Sequence, residues 1–234
     1  EERAKMVEKK DMYIDIGATS QAETEAAGVR VGDPVVPDSR FAIMAGGKTY
    51  LSKAFDNRVG CAVAIDVLRR FQNEAHPNDL YAVQTVMEEV GLRGATTSVR
   101  AVDPDVAIIL EADIAGDVPG IKKEQSSVRL GGGPALSVFD ARMIPNQALR
   151  HLVIDTAAAA GLPLQFSNMP GGATDGGAIH LHGLGVPTVV LGVPARHIHS
   201  HGSIIHRDDY DHAVQLVTAV VAKLDAATVA GLTE

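Results

Sequence analysis

The sequence predicts an α/β protein, a mostly parallel sheet sandwiched by helices, with a β-rich stretch ahead of it. Three observations carry this. Beyond about residue 51, short apolar runs alternate with helical patterns, as they do where a sheet is covered on both faces. Hydrophobic residues make up 46% of the 234 positions while aromatics reach only 4%, with no tryptophan, so small and branched side chains must fill a tightly packed sheet–helix core. Before residue 51, Gly28, Gly32, Pro34 and Pro37 punctuate short extended runs, in the manner of turns between strands.

In chain order, residues 11–16 alternate as a short strand does, and AGVRVGDPVVP reads as turn, strand and turn. Another strand ends at residues 49–53. Residues 57–71 then place Val59, Val63, Ile65, Val67, Leu68 and Phe71 at the spacing of a largely buried helix. This change of texture divides the chain near Leu51 into residues 1–51 and 52–234. LYAVQTVME follows as a strand, GATTSVRAV as a helix, and DVAIIL as a compact strand behind Asp103-Pro104. Residues 146–160 read as a helix, LPLQFSN as a strand, GAIHLHG as a short helix, PTVVLGV as a strand, and 209–228 as a closing amphipathic helix.

Composition removes several functions. A formal charge of −8, with no basic cluster denser than Lys122-Lys123, repels phosphate backbones and argues against nucleic acid as a partner. The lone cysteine, Cys61, excludes an intrachain disulfide and any multi-cysteine zinc site and suits a reducing cytoplasm. No apolar run approaches the roughly 18 residues of a membrane span, and EERAKMVEKK is charged rather than signal-like. A soluble cytoplasmic protein without a membrane partner is expected.

Ligands gather at the carboxyl ends of strands in open α/β sheets. Four such ends carry acids or a histidine here. Asp56 follows TYLSKA, Glu88-Glu89 follow YAVQTVM, Glu111 follows DVAIIL, and His199 follows PTVVLGV by a loop. Carboxylate with imidazole is the donor mixture that zinc, cobalt or manganese accepts, and such an ion acidifies bound water for hydrolysis. The adjacent pair Glu88-Glu89 would repel unless a cation or a proton separates its charges. A division of labour resolves this: one carboxylate binds a metal while the other faces the bound water as general base. Residue types and positions thus lead to a metal hydrolase.

The blocks AFDNRVGCAV, VMEEVGLRGA, LEADIAGDVPG, PGGATDGGAI and GVPARHIHS stand in this order. Over essentially its whole length the chain resembles the TET, deblocking and glutamyl aminopeptidases, a family also labelled cellulase-M-like. The cellulase label finds no support, because no carboxylates pair around an aromatic sugar platform. The resemblance implies a zinc-peptidase-like catalytic domain in 52–234 and part of an inserted, PDZ-like β-barrel in 1–51. It implies removal of N-terminal residues from peptides. Asp56 would bridge two divalent ions (zinc, cobalt or manganese), Glu89 and His199 would complete one site, Glu111 would belong to the other, and Glu88 would be the general base. The family often has Asp where Glu111 stands, with Asp113 and Asp117 as nearby alternatives. Asp175 and Arg196 would line the cleft near the substrate's amino end. His197, His201 and His206 are read as solvated or hydrogen-bonded, and His197 stands where the family commonly has tyrosine. A tetrahedral dodecamer is the implied assembly.

One motif of the family has no counterpart. Its members carry an early His-x-Asp whose histidine completes the second metal site, and residues 1–55 contain no histidine. The expectation is a piece of a longer product that begins inside the β domain, leaving this stretch alone with one ion or none. The alternatives are an impaired homologue serving as a scaffold or assembly subunit, and an acyl-amino-acid deacylase using the same metal chemistry.

Overall fold

The nine residues of TVVLGVPAR are almost uniformly buried, and an apolar run without alternation belongs in the middle of a sheet covered on both sides. In the computed structural model, which describes residues 7–44 and 46–233, this run is the central strand β6 (Thr188–Arg196). The other strands are β1 (Ala42–Ile43), β2 (Thr49–Ser52), β3 (Ala107–Ile114), β4 (Ala135–Asp140), β5 (Gln165–Met169) and β7 (Ser203–His206). Along one edge β6 pairs in parallel with the whole of β3, from Ala107↔Thr188 to Ile114↔Ala195. Its other edge is shared: β4 pairs antiparallel at Leu191 and Gly192, and β7 pairs antiparallel at Ala195 and Arg196. Pro194 lies at that change of partner, where a missing N–H is tolerated. Parallel β5 extends the sheet beyond β4, and antiparallel β2 and β1 extend it beyond β7.

The helices are α1 (Gln21–Ala26), α2 (Phe55–Phe71), α3 (Arg93–Val102), α4 (Gln147–Ala159), α5 (Gly176–Ile179), α6 (Arg207–Val221) and α7 (Ala226–Ala230). Alternation along β6 decides which helices meet which face. Val189, Leu191, Val193 and Ala195 join Val63 and Val67 of α2, Leu149 and Val153 of α4, and Leu216 and Val220 of α6 in the main core. Val190 faces the other way, into a smaller cluster with Ile109 and Met143 beside Ile179 of α5, and α3 packs on α5. The expected α/β sandwich is what forms, with a mixed sheet in place of a mainly parallel one. Its antiparallel pairings are those of β4 with β6 and of β7, which folds back on β6 and carries β2 and β1 with it.

The chain divides into two compact units, Glu1–Asp38 and Ser39–Glu234. Within the described part of the first unit, the strands expected at 11–16 and near 27–37 do not form, and the inserted barrel is not seen. Instead SQAETEA forms α1, whose N-cap Ser20 accepts from Glu23 N at 3.2 Å while the Glu23 carboxylate accepts from Thr19 N at 2.6 Å. This is a near relative of the capping box, a helix-start signal in the sequence stronger than the apolar alternation around it. β1 and most of β2, which precede the sequence boundary at Leu51, are hydrogen-bonded into the sheet of the second unit.

Two further differences have physical causes. LYAVQTVME forms no ladder among the described residues: a strand needs a partner as well as a pattern. The closing helix breaks after Val221, because Asp225 caps α7 by accepting from Thr228 N at 2.8 Å and Asn78 Nδ2 donates to the carbonyls of Val221 and Leu224.

Candidate metal centre

Three short connections bring the candidate ligands together. β2 runs into α2, whose opening residues Asp56 and Asn57 have non-helical dihedrals. Residues 80–88 run into α3. The loop between β6 and β7 carries His197 and His199. Six non-glycine residues among those described have left-handed backbone, and five of them, Ala54, Met87, Leu92, His197 and His199, lie in these connections. Such conformations cost about 1–3 kcal/mol each and persist where the surroundings impose them. For the Glu88-Glu89 segment the constraint comes from α3. Gly94 N donates to Val86 O at 2.9 Å and Leu92 N to Glu88 O at 3.0 Å, and a Cβ at Gly94 would stand 2.4 Å from Val86 O. Only glycine allows α3 to seat that closely. The His199 loop is tied by Ser200 Oγ, which donates to His197 O at 2.7 Å.

His199 Nε2 lies 3.0 Å from Asp56 Oδ2 and 3.0 Å from Glu89 Oε1. Asp56, Glu89 and His199 each offer a donor atom within 4.8 Å of the others. One imidazole nitrogen has a single proton or lone pair to share, so two carboxylates converging on it form a set that one cation would satisfy at once. Oxygen and imidazole donors in this arrangement fit zinc, cobalt or manganese.

The remaining acids crowd the same region. Burial, then the charges of Asp175, Glu89 and Asp56, push the Glu88 carboxyl up to about 7. Glu111 is raised well above the usual carboxylate range by burial and by Glu88, Asp56, Asp175 and Glu89. Asp56 is raised by burial and Glu89, against the pull of His199. Asp175 is buried; its Oδ2 accepts from Thr85 Oγ1 at 2.5 Å, and its Oδ1 has no hydrogen-bond partner. Glu88 and Glu111 are therefore electrostatic neighbours of the Asp56–Glu89–His199 trio, and Asp175 is a neighbour of Glu88 and Glu111.

The other sequence candidates are committed elsewhere. Asp113, raised to about 6 by burial, accepts from Ser167 Oγ at 2.5 Å. Arg196 holds Asp117 through two hydrogen bonds, of 2.9 and 2.6 Å, which lowers the Asp117 carboxyl. His206 Nδ1 accepts from Asp208 N at the start of α6. Nothing in the sequence marked Thr85, the partner of Asp175, or Asn57, which bonds Leu110 O beside Glu111. Each acts through a residue distant in the chain.

This crowding has a pH signature. The raised carboxyls hold protons more tightly folded than unfolded, so the ion-free fold binds more protons and loses stability as pH rises from about 4.5 through about 7. Cation binding requires deprotonated ligands and releases those protons. We expect the urea midpoint of chelator-treated protein to be higher at pH 5 than at pH 8, with saturating Zn²⁺ shrinking or reversing the difference. A midpoint that climbs with pH in the chelated protein would contradict the crowded cluster.

Residues 1–216 match the model of a family described as M42 glutamyl aminopeptidase. A TET aminopeptidase from a marine sediment Thaumarchaeota archaeon superposes with a TM-score of 0.96 at 50% identity, covering 99% of this chain and 65% of that one. The glutamyl aminopeptidase of Lactococcus lactis is 35% identical over 220 residues, 94% of this chain and 61% of its own length. The Pyrococcus horikoshii TET1 peptidase, described as assembling into a tetrahedron or a large octahedral shell, superposes with a TM-score of 0.75 at 26% identity, covering 90% and 60%. The chain spans 60–64% of the length of the curated relatives it matches first.

Proposed function

Because the chain belongs to the M42 glutamyl aminopeptidase family, we propose that its acidic cluster serves a metal-dependent aminopeptidase that removes N-terminal residues from peptides. The observation that carries this reading is the convergence of Asp56, Glu89 and His199 on one point, beside a carboxyl, Glu88, raised to about 7.

In this reading Asp56, Glu89 and His199 would hold one divalent ion, and Asp56 and Glu111 would contribute to holding a second. When bound, the ions supply a Lewis acid for the scissile carbonyl and a water acidified enough to attack it. Glu88 would accept a proton from the attacking water and return it to the leaving amine, a transfer favoured by a pKa near the working pH. Asp175, with its free buried oxygen, lies at the side of the cleft that receives the cationic N-terminus of the peptide. Arg196, paired with Asp117, shapes the wall rather than meeting the substrate alone. Homo-oligomeric assembly is proposed from the shells described for the TET1 peptidase. No helix among the described residues is long and apolar enough to cross a membrane, and with a single cysteine the cytoplasm is the proposed location.

The test is turnover of amino-acid p-nitroanilides with added Co²⁺ or Zn²⁺, compared with the N-acetylated anilides. Metal-dependent release restricted to free amines supports the aminopeptidase. Acetate freed from the N-acetylated anilides without p-nitroaniline would point to a deacylase, and metal uptake without either release to a scaffold.

A further inference from the structure

Residues 80–89 carry Glu88 and Glu89 yet join no ladder among the described residues, so something other than a sheet holds them. At one end Leu80 packs against the main core. At the other, the start of α3 grips the backbone: Gly94 N donates to Val86 O, Arg93 N to Met87 O and Leu92 N to Glu88 O. Between these ends Thr85 Oγ1 donates to Asp175 Oδ2 at 2.5 Å, across 90 residues of chain. Asp175 is a firm post for this tie. It is buried at the start of α5, where a Cβ at Gly176 would stand 2.8 Å from Met143 Cε and one at Gly177 2.8 Å from Arg142 Cβ. The helix thus sits against residues 142–143 as closely as glycine permits. Asp175 Oδ1 has no hydrogen-bond partner, which leaves Thr85 to satisfy the carboxyl, and a hydroxyl-to-carboxylate bond of this length is among the stronger kinds.

We propose that Thr85 is a positioning residue: anchored on Asp175, it sets the backbone that carries Glu89 and so governs affinity for the divalent ion held with Asp56 and His199. The proposal rests on the reading of that trio as an ion site. The side chains of His199 and Glu89 are 66% and 58% accessible, so packing does little to hold Glu89, and its place depends on the backbone beneath it. Thr85 contributes no donor atom to the trio; removing its hydroxyl leaves all three ligands present and loosens the segment that presents one of them. Groups that orient metal ligands typically change affinity 10–100-fold when removed. The hydroxyl is the group required, since valine has the shape of threonine without the donor and serine has the donor without the methyl.

The test titrates full-length wild type, Thr85→Val and Thr85→Ser with Co²⁺, followed calorimetrically and by the cobalt absorption spectrum, with His199→Ala identifying the ion that the trio holds. Thr85→Ala serves if the valine variant does not fold. The expected result is that Thr85→Val binds that ion about 10–100-fold more weakly and shows an altered cobalt spectrum at saturation, while Thr85→Ser restores both to within about threefold of wild type. Wild-type affinity in Thr85→Val, an equal loss in Thr85→Ser, or a loss with the saturated spectrum unchanged would overturn the positioning role alone. A wild-type protein that takes up no Co²⁺, or a His199→Ala variant that binds it as wild type does, would overturn the ion-site reading and this proposal with it.

Discussion

Glu88→Gln should fold, take up divalent ions as wild type does, and turn over amino-acid anilides about 10²–10⁴-fold more slowly, the usual contribution of a general base. The amide has the size of the carboxyl and the neutrality of its protonated form. Burial and the charges of Asp175, Glu89 and Asp56 already favour that neutral form at Glu88 when no ion is bound, so the substitution removes repulsion instead of adding strain. What it removes chemically is the capacity to accept a proton. Because Glu89 and His199 supply the contact with Asp56, ion content by elemental analysis should stay at the wild-type level. A variant with undiminished kcat would show that another group takes the water proton. A variant that loses its ions would make Glu88 a ligand.

Asp209→Ala is expected to cost about 3–5 kcal/mol of stability, in the range of losses that follow from orphaning buried hydrogen-bonding groups. Asp209 is fully buried in the first turn of α6. Its Oδ2 accepts from Gly131 N and its Oδ1 from Gly133 N, both at 2.7 Å, which fixes the glycine-rich turn that feeds β4 into the sheet. Alanine would leave both N–H groups without their acceptor, that of Gly133 in a buried setting. Asp209→Asn, which keeps one good acceptor, should fall between alanine and wild type in urea unfolding. A loss under about 1 kcal/mol for the alanine variant would mean that the turn finds other partners.

Legibility in the sequence followed the locality of each interaction. β6 is an apolar run buried on both faces, β3 a compact apolar run half-buried beside it, and α2 and α6 carry helical periodicity, so these elements could be read directly. β4 and β7 could not: ALSVFD mixes polar and apolar positions, and SIIH has four residues behind a histidine-rich loop. Residues 80–88 have the composition of a strand, but pairing depends on a neighbour that composition does not specify. Asp56, Glu89 and His199 were legible as acids and an imidazole at strand ends, and the resemblance named their roles. Gly60, Gly94, Asn57 and Thr85 were not. Their importance lies in approaches to Leu110, Val86 and Asp175, which exist only once the chain has folded.

The trio formed by Asp56, Glu89 and His199 joins an early, a middle and a late part of the chain. An ion seated there is a removable cross-link, akin to a disulfide that a chelator can cut. Loop-closure entropy grows with the logarithm of the closed length, so tying residue 56 to residue 199 restricts the unfolded chain far more than a bond between neighbours would. Divalent ions should then act as a brake on unfolding as well as a reagent, and the protein's endurance in a proteolytic environment would depend on the metal supply that sets its activity.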